Sequence, residues 1–112
     1  MIKKNFILLI FLISINIFAN EIYYNTGELM YSGETKYGAP NGIGKIYNKE
    51  GFLIYEGEFK NGYPEGKGKI YINGIIRYEG EMVKGNPIGY GKIYDSQGKL
   101  IYEGDKVEKY MN

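Results

Sequence analysis

The chain has no cysteine, no histidine and no tryptophan, and only three prolines among its 112 residues. Without cysteine there is no disulfide framework, no thiolate and no residue for lipid attachment behind a leader. Without histidine neither a Ser/His/Asp constellation nor a histidine metal centre can be built, and the only serines beyond the N-terminal run are Ser32 and Ser96. Charge of one dominant sign is missing too. The sequence carries 14 basic and 13 acidic side chains, and setting aside Lys3 and Lys4 at the N-terminus leaves twelve against thirteen, a net charge of −1. That balance argues against a nucleic-acid binder, which needs a basic face, and against purely electrostatic capture by anionic lipid. No enzyme, cofactor or metal is expected.

The one long apolar run is N-terminal. Lys3 and Lys4 precede Phe6 to Phe18, which is apolar apart from Ser14 and Asn16, and Ala19 offers a small residue for cleavage. This is the layout of a secretory signal peptide. A helical signal over residues 1–20 is expected, with a retained anchor or a buried helix as alternatives, the run being short of the ~20 residues that span a bilayer. Ile17, at the third position before the cut, leaves the cleavage site open. Export to the periplasm, cell envelope or medium follows, with residues 21–112 as one domain in a size range where core burial is marginal.

That domain repeats. Tyr31-Ser32-Gly33-Glu34, Tyr55-Glu56-Gly57-Glu58, Tyr78-Glu79-Gly80-Glu81 and Tyr102-Glu103-Gly104-Asp105 follow one another at 24, 23 and 24 residues. A period of that length marks a stacked array. Each signature strand reads Leu/Ile-x-Tyr-x-Gly, the alternation of a strand with two unlike faces. Further glycines follow the signature glycine at plus five, nine and eleven: Gly62, Gly66 and Gly68 in the second repeat. A short strand closes each unit at Lys45-Ile46-Tyr47, Lys69-Ile70-Tyr71 and Lys92-Ile93-Tyr94.

The fold class this predicts is all-β, an elongated single-layer antiparallel meander of repeated hairpins with about four repeats, the last truncated. Ala39-Pro40-Asn41-Gly42, Tyr63-Pro64-Glu65-Gly66 and Asn86-Pro87-Ile88-Gly89 each place Pro second and Gly fourth, as in a type I turn. The third repeat is one residue shorter and has Asn73-Gly74 between Ile72 and Ile75, a two-residue hairpin signal. That turn sets Ile72 against Ile75, Tyr71 against Ile76 and Lys69 against Tyr78. One face then carries the signature tyrosines together with the Lys-x-Tyr columns, and the other carries the acidic pairs beside Gly68 and Ile70.

Tyr55-Glu56-Gly57-Glu58-Phe59, followed by Gly62, Gly66 and Gly68, resembles the MORN (membrane occupation and recognition nexus) repeat, exported bacterial type. Thr35, Met82 and Lys106 stand where that family favours an aromatic, and Ser32 where it favours Glu. The resemblance implies a twisted single-layer sheet of hairpins that serves as a scaffold or interaction module, binds protein or phospholipid, and often dimerises.

Three groups of side chains are candidates for function. Tyr31, Tyr55, Tyr78 and Tyr102 with Tyr47, Tyr71 and Tyr94 and Lys45, Lys69 and Lys92 form a possible binding face. These tyrosines are either the packing layer or a strip left open for a glycan, a peptide or a second copy of the chain. The acidic pairs Glu56/Glu58, Glu79/Glu81 and Glu103/Asp105 read as a solvated face rather than a calcium site, because no oxygen-rich loop accompanies them. The glycines repeat between strands and never open a helix, so they serve turns and packing. The expected function is protein binding or scaffolding in the cell envelope, with a protein partner or homodimer and at most weak phospholipid contact. The alternative is a surface factor that touches host cells or lipid.

Overall fold

A computed structural model describes residues 19–111. The expected signal helix over 1–20 lies outside the described residues, except that Ala19 and Asn20 open the first strand. Eight strands follow in order: β1 (Ala19–Tyr23), β2 (Leu29–Lys36), β3 (Ala39–Tyr47), β4 (Leu53–Lys60), β5 (Tyr63–Ile72), β6 (Ile75–Val83), β7 (Asn86–Tyr94) and β8 (Leu100–Gly104). Each pairs antiparallel with its neighbours in sequence, giving one meander sheet, as the repeat pattern predicts.

The turns are of two kinds. After β2, β4, β5 and β6 the chain reverses through Tyr37-Gly38, Asn61-Gly62, Asn73-Gly74 and Lys84-Gly85, all eight residues with positive φ. This is the two-residue type I′ hairpin, whose twist matches that of the strands. The remaining turns, after β1, β3 and β7, close on backbone bonds such as Gly27 N–H to Tyr24 O and Gly51 N–H to Asn48 O. After β3 and β7 an Asx side chain joins them: Asn48 Oδ1 accepts from the N–H groups of Glu50 and Phe52, and Asp95 Oδ1 from those of Gln97 and Lys99.

The proline turns are a correction. Pro40, Pro64 and Pro87 sit in β3, β5 and β7, opposite Thr35, Phe59 and Met82. The glycine at plus five, with the residue before it, has already turned the chain, so the proline falls second in the next strand, beside a bulge where a ladder donor is dispensable. Its carbonyl links repeats: Gly62 N–H donates to Pro40 O at 2.8 Å and Gly85 N–H to Pro64 O at 2.9 Å.

The register is a second correction. Ile72↔Ile75 and Tyr71↔Ile76 pair as expected, but the ladder then shifts, so that Tyr78 faces Ile70 and Lys69 faces Glu79. Arg77 is the extra residue, and a β-bulge of this kind turns everything beyond it to the opposite face. The same shift falls between Ile46/Tyr47 and Ile93/Tyr94. Signature tyrosines therefore share a face with Ile46, Ile70 and Ile93, while the lysines join the glutamates.

The tyrosine face is the core. Tyr31, Tyr55, Phe59, Tyr78, Met82, Ile93 and Val107 are buried, with Ile22, Ile46, Ile70, Tyr102 and Met111 packed against them. Phe59 stands edge-on between Tyr31 and Tyr55, ring centroids 5.1 and 5.2 Å away, an arrangement aromatic quadrupoles favour. Each signature ring reaches a backbone carbonyl three residues on: Tyr31 to Glu34 O (2.6 Å), Tyr55 to Glu58 O (3.0 Å), Tyr78 to Glu81 O (2.7 Å) and Tyr102 to Asp105 O (2.6 Å). In the fourth repeat Lys106 does not enter the core. It takes a left-handed conformation (φ 61), and the short 3₁₀ turn Val107–Lys109 swings a fully buried Val107 over that end instead.

A methyl on Gly91 would stand 2.6 Å from Tyr78 Cε1, whereas one on Gly51 would meet nothing within 4 Å but would carry φ +91. Gly91→Ala is expected to cost about 3 kcal/mol by overlap with a packed ring, and Gly51→Ala about 1 kcal/mol by backbone strain alone. Urea unfolding midpoints check this, and equal losses would contradict the ring-on-glycine packing.

Candidate binding face

Opposite the core, cross-strand pairing lays residues out in rows perpendicular to the strands. Gly33, Gly44, Gly57, Gly68, Gly80 and Gly91 are partners in succession and make a continuous glycine row. Side chains added there would run into the core tyrosines, as at Gly44 against the Tyr31 ring. The far side of the row is left as bare peptide.

Beside it runs a second row, Lys45, Glu56, Lys69, Glu79, Lys92 and Glu103, again partners in succession and alternating in sign at every strand. One pair closes to an ion pair, Lys69 Nζ to Glu79 Oε2 at 3.9 Å, between half-exposed side chains. Tyr71 donates its hydroxyl to Glu56 Oε1 at 2.7 Å. Burial, then the bond to Glu56 and the charges of Glu56 and Glu79, push the Tyr71 hydroxyl up to about 12.

On the other side of the glycines lie Ile43, Lys67 and Tyr90, each flanked by the second acid of a signature. Glu34 Oε2 accepts from Ile43 N–H at 2.5 Å, Glu58 Oε2 from Lys67 N–H at 2.6 Å, and Glu81 Oε2 from Tyr90 N–H at 3.2 Å. These N–H groups fall where the ladder is interrupted, for example between Gly57↔Gly68 and Phe59↔Pro64. The carboxylates replace the lost ladder acceptors. Tyr90 donates to Glu103 Oε2 at 2.9 Å, and that bond, with burial and nearby carboxylates, raises its hydroxyl above the usual range.

Together the rows bound a groove of about 780 Å³ from Ser32 on β2 to Lys92 on β7, within the ~300–1,000 Å³ usual for ligand sites. The expected face of ten residues is thus divided. Tyr31, Tyr55 and Tyr78 are buried in the core and Tyr102 is partly covered. Lys45, Lys69, Lys92 and Tyr47 line the groove on the other side, Tyr71 reaches its Glu56, and Tyr94 O accepts from Arg77 Nε at 3.0 Å. Sequence reasoning missed Ile43, Lys67, Tyr90 and the glycine floor. Their signal was the column at plus ten, enclosed by the glycines at plus nine and plus eleven. Among the described residues no group of three carboxylates or other ligands converges on a metal position.

Core and groove both depend on neutral tyrosines. Burial, ahead of the nearby Glu58, raises Tyr55 to about 12, and burial, ahead of Glu81, does the same for Tyr78, against ~10 for a free tyrosine. A raised pKa favours the folded state fully below pH ~10 and progressively less as pH climbs toward 12. The urea midpoint is expected to hold between pH 7 and ~9 and to fall from pH ~10 to ~12. Tyr71→Phe should shallow that fall; an unchanged midpoint at pH ~11.5 would contradict the burial of these hydroxyls.

The MORN repeat profile matches residues 55–75 and 78–100, each stretch a signature strand with the strand after it. No curated protein matches the chain. MORN repeats generally work as non-enzymatic binding or scaffold modules. Residues 55–100, the strands β4 to β7 that form the middle of both the core and the groove, are MORN repeats.

Proposed function

We propose that this protein is an exported, non-enzymatic scaffold of the cell envelope that binds a protein partner through the end of the sheet where β1, β3, β5 and β7 turn into the next strand. The observation that carries this is apolar exposure at that end. Phe52, Ile72, Leu100 and Ile101 stay between 44 % exposed at Leu100 and 61 % at Ile101. Exposed apolar side chains mark a contact surface, and the opposite end, where Tyr37, Tyr63 and Val83 are exposed, carries Lys36, Lys60 and Lys84 among them. The leader-like residues 1–20 support export, and the absence of histidine and cysteine supports a role through contacts.

A second reading, contact with host cells or lipid, draws on the opposite end. Tyr37 there is 97 % exposed, Lys36 Nζ sits 5.7 Å from its ring centroid, and Lys60 precedes one of the other turns at that end while Lys84 lies in another.

A photo-crosslinking residue at Ile101, in the native cell, is expected to give a discrete adduct that the same residue at Asn61 does not. Identical patterns at the two positions would refute the apolar end as the contact. Fractionation should recover residues 21–112 with the envelope; a cytosolic pool retaining residues 1–20 would refute export. Digestion of the repeats on intact cells would favour the second reading.

The sheet is open at β1 and β8 among the described residues, and unpaired edges template another chain. A homodimer is expected by light scattering, and a monomer mass at high concentration would rule it out.

A further inference from the structure

The groove has a property independent of the protein-binding reading: its chemistry repeats once per strand. Charges of the Lys/Glu row stand one strand spacing apart, ~4.8 Å, and reverse sign at each step, so like charges recur every two strands. The lined portion crosses six strands, roughly 24 Å. An extended peptide laid along it advances ~6.8 Å per two residues and falls out of step within a few strands. An α-helix, about 10 Å across with its side chains, is too wide for a trough whose walls are two residues apart on a strand. A polyanion meets Glu56 and Glu79, and a polycation meets Lys45, Lys69 and Lys92, so neither is neutralised along its length.

We propose that this groove binds a linear β-1,4-linked hexose polysaccharide, neutral or N-acetylated, lying across the strands with about one sugar per strand. Each sugar in such a chain advances it by close to one strand spacing. Successive sugars are turned over, so each edge of the ribbon returns every second sugar, the period of the charge ladder. From Gly33 to Gly80 the glycine row offers a floor of peptide groups on which a ring can lie without meeting a side chain. The Tyr90 ring, reaching across to Glu103, closes it at β7. The ladder supplies both donors and acceptors to hydroxyl and acetamido groups, which suits a ligand that needs both at every sugar. Tyr90, half-exposed at one wall, adds an aromatic surface and a hydroxyl already held by Glu103.

The full-length chain titrated calorimetrically with cellohexaose and chitohexaose is expected to bind at least one of them, with affinity climbing from disaccharide to hexasaccharide as further strands are engaged. Lys69→Ala with Glu79→Ala removes one cation and one anion from the middle of the ladder without touching the core. It is expected to weaken hexasaccharide binding about tenfold or more with an unchanged circular dichroism spectrum. Should that variant not fold, Lys45→Ala, at an exposed side chain, is expected to lower affinity in the same way. No binding of either hexasaccharide at millimolar concentration overturns the proposal. Equal affinity for mono- and hexasaccharide, or folded variants that bind like the parent, would overturn it as well. The crosslinking result at Ile101 bears on the protein partner alone, so the two readings fail separately.

Discussion

Tyr31, Tyr55 and Tyr78 each lie against a glycine of the next strand and donate their hydroxyls to the carbonyl three residues further along their own strand, and everything else in the sheet is arranged around that contact. A layer of one sheet has no second layer to bury its apolar face. Here the rings themselves are the second layer. They lie along the sheet instead of standing up from it, which is possible only where the facing residue has no side chain, as Gly44 does beneath Tyr31 and Gly91 beneath Tyr78. Phenylalanine would fill the space but leave the carbonyls of Glu34, Glu58 and Glu81 without this donor. Phe59, Met82 and Val107 then fill the gaps between rings, and all three are buried.

The bulges convert that packing into two chemically distinct faces. Around each signature glycine the ladder is interrupted, and the second acid of the signature moves in to accept the N–H of Ile43, Lys67 or Tyr90. Near the other hairpin end an extra residue such as Arg77 shifts the register by one. The signature tyrosines, Ile46, Ile70, Ile93 and the aromatic filler go to one side, the lysines and glutamates of the ladder to the other. The glycine row serves both, as the bed of the tyrosine layer and the floor of the groove.

Much of this was legible in the residues. The period, the strand count, the meander order and the Asn73-Gly74 hairpin follow from columns that stay in phase over four copies, because a repeat imposes the same local rules each time. The proline positions were misread because Pro-x-Gly satisfies turn chemistry locally, while the preceding Tyr37-Gly38 or Asn61-Gly62 satisfies it with a twist that fits a hairpin. The candidate face was assembled from correct columns in the wrong register. Extrapolating from one turn assumes an unbroken ladder, and a single bulge residue exchanges the faces for every position beyond it.

By itself the sequence determined what is periodic: an all-β array, a tyrosine and a glycine in fixed relation, and a balanced charge in a chain without histidine or cysteine. These follow from composition and spacing, which need no third dimension. Tertiary structure alone decided which side each column faces, that Lys45, Lys69 and Lys92 interleave with Glu56, Glu79 and Glu103, and that Val107 rather than Lys106 closes the core. Those outcomes rest on where a ladder bulges and where a chain leaves its strand. Both are set by the fit of rings against backbone across strands, which no single strand's pattern contains.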